Sequence, residues 1–213
     1  YLHLAATEAN VPIVTVAGDD SGIVATVAAN IAAAAAYEAR TTLLVDVDPV
    51  TSAIANVFRI PSNPGLAGIV AGTADWASAI VQTTVGRDRA LDVLPSGTKR
   101  AGAPNAEAVE RIRGDFARME RRYDLIVITA PTAYVKRGAD SIIPGPDVIL
   151  CARIGHTKIT NLKESVDSLR ALDLRIHGLV LWNDGLPLIE SQEENGTAGR
   201  SSRAESSDLA GVR

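Results

Sequence analysis

The sequence predicts a doubly wound α/β domain, in which helices flank both faces of a mainly parallel sheet. Apolar and helical segments alternate along the chain, which is typical of this class. The apolar segments are short and continuous, as expected for strands covered on both faces. The chain has 213 residues, of which 46% are hydrophobic and 22% charged, enough for one globular core. We expect one folded domain at residues 11–189, after a lead-in at residues 1–10 and before a disordered Ser- and Glu-rich tail at residues 190–213.

The first half of the domain contains three predicted strands, one long helix and two short ones. The strands lie at residues 12–16, 42–47 and 91–94. The long helix lies at residues 24–39, and the Ala content of that segment favours a helix. The turn Asn63-Pro-Gly-Leu66 leads to the short helices, at residues 67–70 and 75–81.

The second half repeats the alternation of strands and helices. Asn105 is a favourable N-cap for a helix at residues 106–122. Another helix at residues 160–171 carries Leu162, Val166 and Leu169 at helical spacing. The remaining strands are predicted at residues 125–128, 148–153 and 178–181.

The connection from the first strand to the first helix has the layout of a phosphate-binding loop without its chemistry. Such a loop requires Gly-Lys-Ser/Thr at the start of the helix. Here the lysine position falls on Val24 and the hydroxyl position on Ala25, or in a shifted register on Ile23 for the lysine. Asp19 and Asp20 would repel a phosphate. The sequence therefore predicts a vestigial loop, formed by Gly18, Asp19, Asp20, Ser21, Gly22, Ile23, Val24, Ala25 and Thr26.

Two acids, Asp46 and Asp48, end the second strand at the carboxyl edge of the sheet. Ligands of open α/β sheets bind at this edge. The pair has two interpretations. It holds a divalent cation through water molecules, or it is a remnant in which Asp48 caps the next segment. We favour the remnant.

The net charge and the cysteine content limit the possible partners and the cellular compartment. A net charge of −4 argues against a nucleic-acid partner. The single cysteine, Cys151, lies in an apolar segment and is interpreted as a buried structural thiol in a reducing cytoplasm. The three histidines lack the spacing of metal ligands. Because the sequence begins at Tyr1 and not at a methionine, we expect it to be a piece of a larger protein.

Several motifs occur together in a characteristic order. They are Leu43-Leu-Val-Asp-Val-Asp48, Asn63-Pro-Gly-Leu-Ala-Gly-Ile-Val-Ala-Gly72, Leu94-Pro-Ser-Gly97, Pro104-Asn105, Tyr123-Asp-Leu-Ile-Val-Ile-Thr-Ala-Pro131, Val148-Ile-Leu-Cys-Ala-Arg153 and Gly178-Leu-Val-Leu181. Together they resemble the bacterial tyrosine kinases (BY-kinases) of the deviant P-loop ATPase superfamily, over residues 11–188. The Leu-Pro-x-Gly and Pro-Asn motifs favour BY-kinases over the septum-site and partition ATPases of the same superfamily.

This resemblance implies a cytoplasmic domain at the inner face of the bacterial membrane. Such domains work with a two-helix membrane protein that controls the length and export of capsular polysaccharide or exopolysaccharide. The resemblance also implies an Mg-ATP site formed between subunits of a ring, and a C-terminal cluster of tyrosines that is phosphorylated.

The chain departs from the family pattern at the catalytic positions. The loop lysine and hydroxyl are missing, and Thr129 stands at the Walker B aspartate position. No tyrosine lies in the tail. Only Asp46 and Asp48 remain, and phosphoryl transfer depends on neutralising the phosphate oxygens. We therefore expect a protein that is not an enzyme and binds no cofactor, with ATP and Mg²⁺ as ligands only if the site still functions.

The leading hypothesis is a degenerate BY-kinase-like domain with a structural or regulatory role in polysaccharide chain-length control. Its partners would be copies of itself, in a ring or oligomer, and a polysaccharide-assembly membrane protein or an active ATPase. One alternative is an atypical ATPase or tyrosine kinase that binds nucleotide through the backbone amides of residues 18–25. Its cation would come from Lys158, Arg153 or a partner subunit. The other alternative is a positioning protein of the septum-site or partition type.

Overall fold

Seven strands form one sheet in the computed structural model, which describes residues 13–48, 50–97, 105–137 and 142–184. The strands are β1 Ile13–Gly18, β2 Thr42–Asp46, β3 Val81–Val85, β4 Arg89–Leu94, β5 Leu125–Pro131, β6 Asp147–Arg153 and β7 Arg175–Trp182. Their order across the sheet is β3-β4-β2-β5-β1-β6-β7. Every pair is parallel except β3 with β4. The predicted mainly parallel sheet is confirmed.

Helices cover both faces of this sheet. They are α1 Ser21–Tyr37, α2 Ala53–Phe58, α3 Gly65–Val70, α4 Trp76–Ala79, α5 Ala106–Met119, α6 Thr132–Val135 and α7 Ile159–Ala171. One apolar layer packs α1 against residues such as Val16 and Leu44. The other joins Leu43 and Ile126 to Phe116 of α5. Neighbouring strand residues enter opposite layers, because successive side chains of a strand point to opposite faces. The sheet is therefore buried on both sides, as its continuous apolar segments predicted.

The start of α1 differs from the sequence prediction in a way that matters for function. The helix begins at Ser21, three residues before the predicted start at residue 24, because the Asp20 side chain caps it by accepting hydrogen bonds from the backbone amides of Gly22 and Ile23. It ends at Tyr37, and Ala39 adopts a left-handed conformation (φ 64°) just after the helix.

The region before β4 also differs. The helix predicted at residues 75–81 covers only Trp76–Ala79, and Val81–Val85 forms an edge strand antiparallel to β4. The short helices α2 and α6 were not predicted. The strand expected at residues 125–128 runs to Pro131, so Thr129 lies within the strand and not after it. The last strand begins at Arg175 rather than residue 178, and α5 ends at Met119 rather than residue 122.

Two of the motifs pack against each other through their glycines. Leu66 donates its amide hydrogen to the Pro95 carbonyl (2.8 Å). A Cβ on Gly65 would lie 2.4 Å from the Gly97 nitrogen, and both glycines have positive φ. No larger residue fits either position without moving the backbone, which explains why the sequence has glycine in both motifs.

The lead-in at residues 1–10 and the tail at residues 190–213 lie outside the described residues, so those two predictions stay predictions. No helix in the described part of the chain is long and apolar enough to span a bilayer.

Candidate active site: a nucleotide-type site with internal hydrogen bonds

The predicted site residues meet at the carboxyl edge of the sheet. Gly18 lies opposite Pro131 in the β1–β5 pair, and Asp46 lies opposite Thr129 in the β2–β5 pair. A cleft of about 220 Å³, including the part open to solvent, is lined by Gly18, Ser21, Val24, Asp46, Asp48 and Thr129 among others.

Asp46 is buried and takes its hydrogen bonds from the chain itself. Its Oδ1 accepts from the Asp48 amide (3.0 Å) and from the Thr129 hydroxyl (3.0 Å). Its Oδ2 accepts from the Ile54 amide in the first turn of α2 (3.4 Å). Burial raises the pKa of Asp46 from 3.8 to about 6, although these hydrogen bonds favour the charged form.

Asp48 is fixed in the same way. Its Oδ2 accepts from the hydroxyls of Ser21 (2.9 Å) and Thr51 (2.8 Å), and its Oδ1 accepts from the Val50 amide (3.0 Å). Asp48 therefore joins the start of α1 to the loop after β2. Asp48 was expected to cap the segment after β2, and it accepts hydrogen bonds from Val50 and Thr51 of that segment. The first-turn amide of α2, at Ile54, binds Asp46 and not Asp48.

All four oxygens of this acid pair thus accept hydrogen bonds from the protein. A magnesium ion demands nearly octahedral oxygen ligands and usually keeps several water molecules. A metal ion bound directly to these oxygens would compete with the hydroxyls of Ser21, Thr51 and Thr129. Within the described ranges, no three His, Cys, Asp or Glu side chains are grouped to hold a metal.

The loop that the sequence predicts to be a vestigial phosphate loop is short, with only Asp19 and Asp20 between β1 and α1. The amides of Gly22 and Ile23 each donate to Asp20 Oδ1 at 3.1 Å. In phosphate-binding loops, amides at a helix N-terminus bind the phosphate anion. Here the Asp20 carboxylate holds that position. Asp20 was expected only to repel an incoming phosphate, and it is instead bound to the amides that a phosphate would need.

The positions of the missing lysine are apolar and buried. Val24 and Ala25 are 3% and 1% exposed, and Ile23 is buried as well. Val24 packs on Gly18, since its Cγ2 would lie 2.9 Å from a Cβ placed on that glycine. In either register, a side chain of the hydrophobic core stands where the lysine would be.

A cation does reach the loop from another strand. Arg153, at the end of β6, places Nη1 3.2 Å from Asp20 Oδ2. Both side chains are about one-third exposed, at 35% and 38%. Arg153 was one of the replacement cations considered from the sequence. It lies beside the loop, where it forms an ion pair with Asp20. Lys158 lies just before α7.

Several residues outside the site also have defined roles. Cys151 is buried, and burial raises the pKa of its thiol to about 12. His177 contacts buried Asp147 (Nε2 to Oδ1, 2.5 Å), which also binds Arg175 (2.9 Å).

The sequence does not indicate that Ser21 and Thr51 are partners of Asp48. Ser21 lies 27 positions from Asp48, and nothing local in the sequence indicates that contact.

The sheet order, the loop at the end of β1 and the acids at the end of β2 define an α/β domain of the P-loop NTPase-like class. No protein-family profile matches the chain. By sequence it is 24% identical to the sporulation initiation inhibitor protein Soj of Bacillus subtilis in an alignment of 184 residues that covers 78% of this chain and 72% of Soj.

Among solved structures, those similar to this chain include bacterial tyrosine kinase domains. The kinase domain of Escherichia coli tyrosine kinase ETK matches with a TM-score of 0.69 and 22% identity, over 98% of this chain and 76% of that one. The VpsO kinase domain matches with a TM-score of 0.67 and 26% identity, over 84% and 88%. The resemblance to BY-kinase domains is therefore confirmed in the structure.

Several neighbouring structures carry a nucleotide. The septum site-determining protein MinD of Pyrococcus horikoshii, complexed with Mg-ADP, matches with a TM-score of 0.60 and 21% identity. The match covers 79% of this chain and 69% of MinD. The fold is thus one that binds magnesium and nucleotide in other proteins.

Proposed function

We propose that this chain is a catalytically degenerate BY-kinase-like domain. It serves as a structural or regulatory module in the assembly of bacterial capsular polysaccharide or exopolysaccharide, at the inner face of the cell membrane. Its work is done by its surface, through self-association and through docking to a polysaccharide-assembly membrane protein or an active ATPase.

The observation that carries this proposal is the internal hydrogen bonding of the site. The backbone amides that would bind a phosphate donate hydrogen bonds to Asp20. The carboxylates that would orient a metal ion accept hydrogen bonds from hydroxyl and amide groups of the chain. Phosphoryl transfer requires groups that neutralise the phosphate oxygens. Loss of one such group commonly costs about 3 kcal/mol of transition-state stabilisation, and here the lysine, the loop hydroxyl and the Walker B acid are all replaced.

The test distinguishes a structural role of the domain from a role that depends on ATP hydrolysis. In the bacterium that encodes the chain, the gene is replaced by the nearly isosteric variant Asp48→Asn, with Asp19→Asn as the matched control. Polymer amount and length are measured, together with Mg-dependent ATP hydrolysis by the purified proteins and their melting temperatures. We expect no hydrolysis in any protein and unchanged polymer wherever the fold is kept. Wild-type hydrolysis that is lost in Asp48→Asn together with the polymer, at an unchanged melting temperature, would overturn the proposal.

One observation favours a second candidate, an atypical ATPase or tyrosine kinase. Arg153 brings a guanidinium to the loop, and a rotation away from Asp20 would point it at a bound phosphate. This candidate predicts ATP hydrolysis that disappears in Arg153→Met and survives in Lys158→Met. Absence of hydrolysis in the wild-type protein would exclude it.

The sequence relationship to Soj and the structural similarity to MinD favour a third candidate, a positioning protein of the septum-site or partition type. A fluorescent fusion that gathers at the septum or the poles would support this candidate. Uniform distribution along the membrane would argue for the polysaccharide pathway.

A further inference from the structure

The last strand of the sheet contains one extra residue. In the parallel pair of β6 and β7, Val148 lies opposite Ile176, but the next residue, Ile149, lies opposite Gly178. His177 therefore has no residue opposite it in β6 and forms a bulge. Bulges are rare in parallel pairs, and they redirect a side chain or change the course of a strand. Because β7 lies at the edge of the sheet, only β6 fixes its register.

A buried carboxylate contacts the bulge residue. Asp147, at the start of β6, is 4% exposed, whereas the side chain of His177 is 38% exposed. Asp147 Oδ1 lies 2.5 Å from His177 Nε2, and its Oδ2 accepts a hydrogen bond from Arg175 (2.9 Å). Both partners belong to β7, one on each side of Ile176. The contact between Asp147 and His177 therefore holds the extra residue in place.

The elements packed around β7 place their other charges elsewhere. Val148 belongs to the apolar layer that contains Leu169 of α7, so its neighbour Asp147 lies on the opposite face of the sheet, together with His177. That face is covered by α1, which has no charged residue. The remaining charged residues of β6, α7 and the turn before β7 are Arg153 at the far end of β6, Lys163, Glu164, Asp167 and Arg170 on α7, and Asp173. Among the described residues, the charge of His177 is therefore set mainly against Asp147 and Arg175.

The second half of β7 has apolar residues on both of its faces. Val180 packs in the layer of α1, whereas Leu179 lies opposite Leu150, which belongs to the layer of α7. A shift of one residue exchanges the two faces of a strand, and register is weakly specified where both faces are alike. Without the bulge, Leu179 and Val180 would exchange faces. The apolar pattern alone thus does not decide between the two registers.

We propose that the bulge at His177 is a pH-sensitive switch that selects between these two registers of β7. Histidine is the side chain that ordinarily changes its charge between pH 5 and pH 8. Protonated His177 forms an ion pair with Asp147 and holds the bulge. Neutral His177 loses this ion pair while Arg175 still binds Asp147, so residues 178–182 move one position along β6. Because hydrogen bonds between charged groups are about twice as strong as neutral ones, the ratio of the two registers should change by about tenfold.

This switch goes beyond the proposed function and does not depend on the nucleotide-type site. Asp46 titrates in the same range, since its pKa is about 6, but it lies on β2 at the opposite edge of the sheet. A pH change alone would not distinguish the two groups. The test therefore substitutes His177 in the full chain and leaves Asp46 unchanged, so its outcome is separate from that of the proposed function.

Nuclear magnetic resonance of the isotope-labelled full chain measures the register directly, because opposite residues of paired strands give short proton–proton contacts. At pH 5.5 we expect contacts of Ile149 with Gly178, as in the bulged register. At pH 8 we expect a second set, of Ile149 with His177, and a ratio of the two sets that has changed by about tenfold. A wild-type chain that keeps one register from pH 5.5 to pH 8 would overturn the inference.

Three variants assign the response to His177. His177→Lys keeps a positive charge and should hold the bulge at both pH values. His177→Gln keeps an N–H donor without the charge and should show the same mixture of registers at both. His156→Gln, in the exposed loop after β6, is the matched control and should respond as the wild type does. A pH response that persists in His177→Gln or His177→Lys, or disappears in His156→Gln, would overturn the inference. Melting temperatures verify that each variant is folded, and either His177 variant alone is sufficient for the test.

Discussion

The β1–α1 and β2–α2 junctions form the two sides of the candidate site, and they compare differently with a phosphate-binding motif. The first has Val24 and Ala25 where the motif has a lysine and a hydroxyl, while the second has both acids. The structure nevertheless fills both with groups of the chain: Asp20 binds the helix amides, and the hydroxyls of Ser21, Thr51 and Thr129 bind the acids. In this structure, the oxygens of the two retained acids accept hydrogen bonds from groups of the chain itself.

The two junctions also differ in burial. Asp46 and Asp48 are 1% and 6% exposed, whereas the side chains of Asp20 and Arg153 are each more than one-third exposed. Hydrogen bonds to a buried charge are costly to break, and exposed ion pairs contribute little. The β2–α2 junction should therefore matter more for stability than the β1–α1 junction, and the predictions below test that order.

The largest effect is expected for Asp46→Ala. The substitution leaves the Thr129 hydroxyl and the amides of Asp48 and Ile54 without their acceptor inside the protein, and we expect a loss of about 3 kcal/mol of unfolding free energy. Urea unfolding at pH 7 measures it. Asp19→Ala, an exposed acid in the neighbouring junction, is the control and should change stability by less than about 0.5 kcal/mol. Equal effects of the two substitutions would refute the proposed order.

The second prediction concerns pH. The pKa of Asp46 in the folded protein is about 6, above its ordinary value of 3.8. The pH-dependent part of its contribution to stability, which comes from the protonated form, is therefore fully present below pH 3.8 and is lost as the pH rises through 6, whereas its role as an acceptor for Thr129, Asp48 and Ile54 remains. The stability of the wild type relative to Asp46→Asn should fall by about 2 kcal/mol between pH 4 and pH 7. A relative stability that is flat or rises over this range would show that the charge is not buried.

A smaller effect is expected for Asp20→Ala at the exposed junction. Loss of this N-cap should cost about 1 kcal/mol, and hydrogen exchange at the Gly22 and Ile23 amides should accelerate. Asp20→Ser keeps an acceptor and should recover most of the loss. If Asp20→Ala destabilised the protein as much as Asp46→Ala, the difference between the junctions would disappear.

The smallest effect is expected for Arg153→Met. The ion pair with Asp20 is open to solvent, so its coupling in a double-mutant cycle should be below about 1 kcal/mol and should shrink with added salt. A coupling of several kcal/mol, insensitive to salt, would mean that Arg153 is a structural part of the loop.

The fold class and part of the candidate site could be predicted from the sequence. The alternation of elements gave the correct fold class, and the motif order brought Gly18, Asp46 and Thr129 to one edge. The early start of α1 was not predicted, because the comparison with a phosphate-binding loop places the start of the helix at residue 24. Aspartate before Ser-Gly is nevertheless a signal for the start of a helix.

Other features had no local signal. The bonds from Asp48 to Ser21 and from Asp46 to Thr129 span 27 and 83 positions, so they depend on tertiary packing. The segment Val81–Val85 is short, and a short segment with few apolar residues does not distinguish a strand from the end of a helix. Its assignment to β3 comes from pairing with β4.

Calorimetric titration of the purified chain with ATP and ADP, with and without Mg²⁺, tests the central claim most directly. Because Asp20 binds the amides that a phosphate would need and the acid pair is bound to hydroxyls, we predict no heat of binding and no thermal stabilisation by either nucleotide. Micromolar binding that requires Mg²⁺ would contradict the account, since it would show that Asp20 and the hydroxyls yield to the ligand.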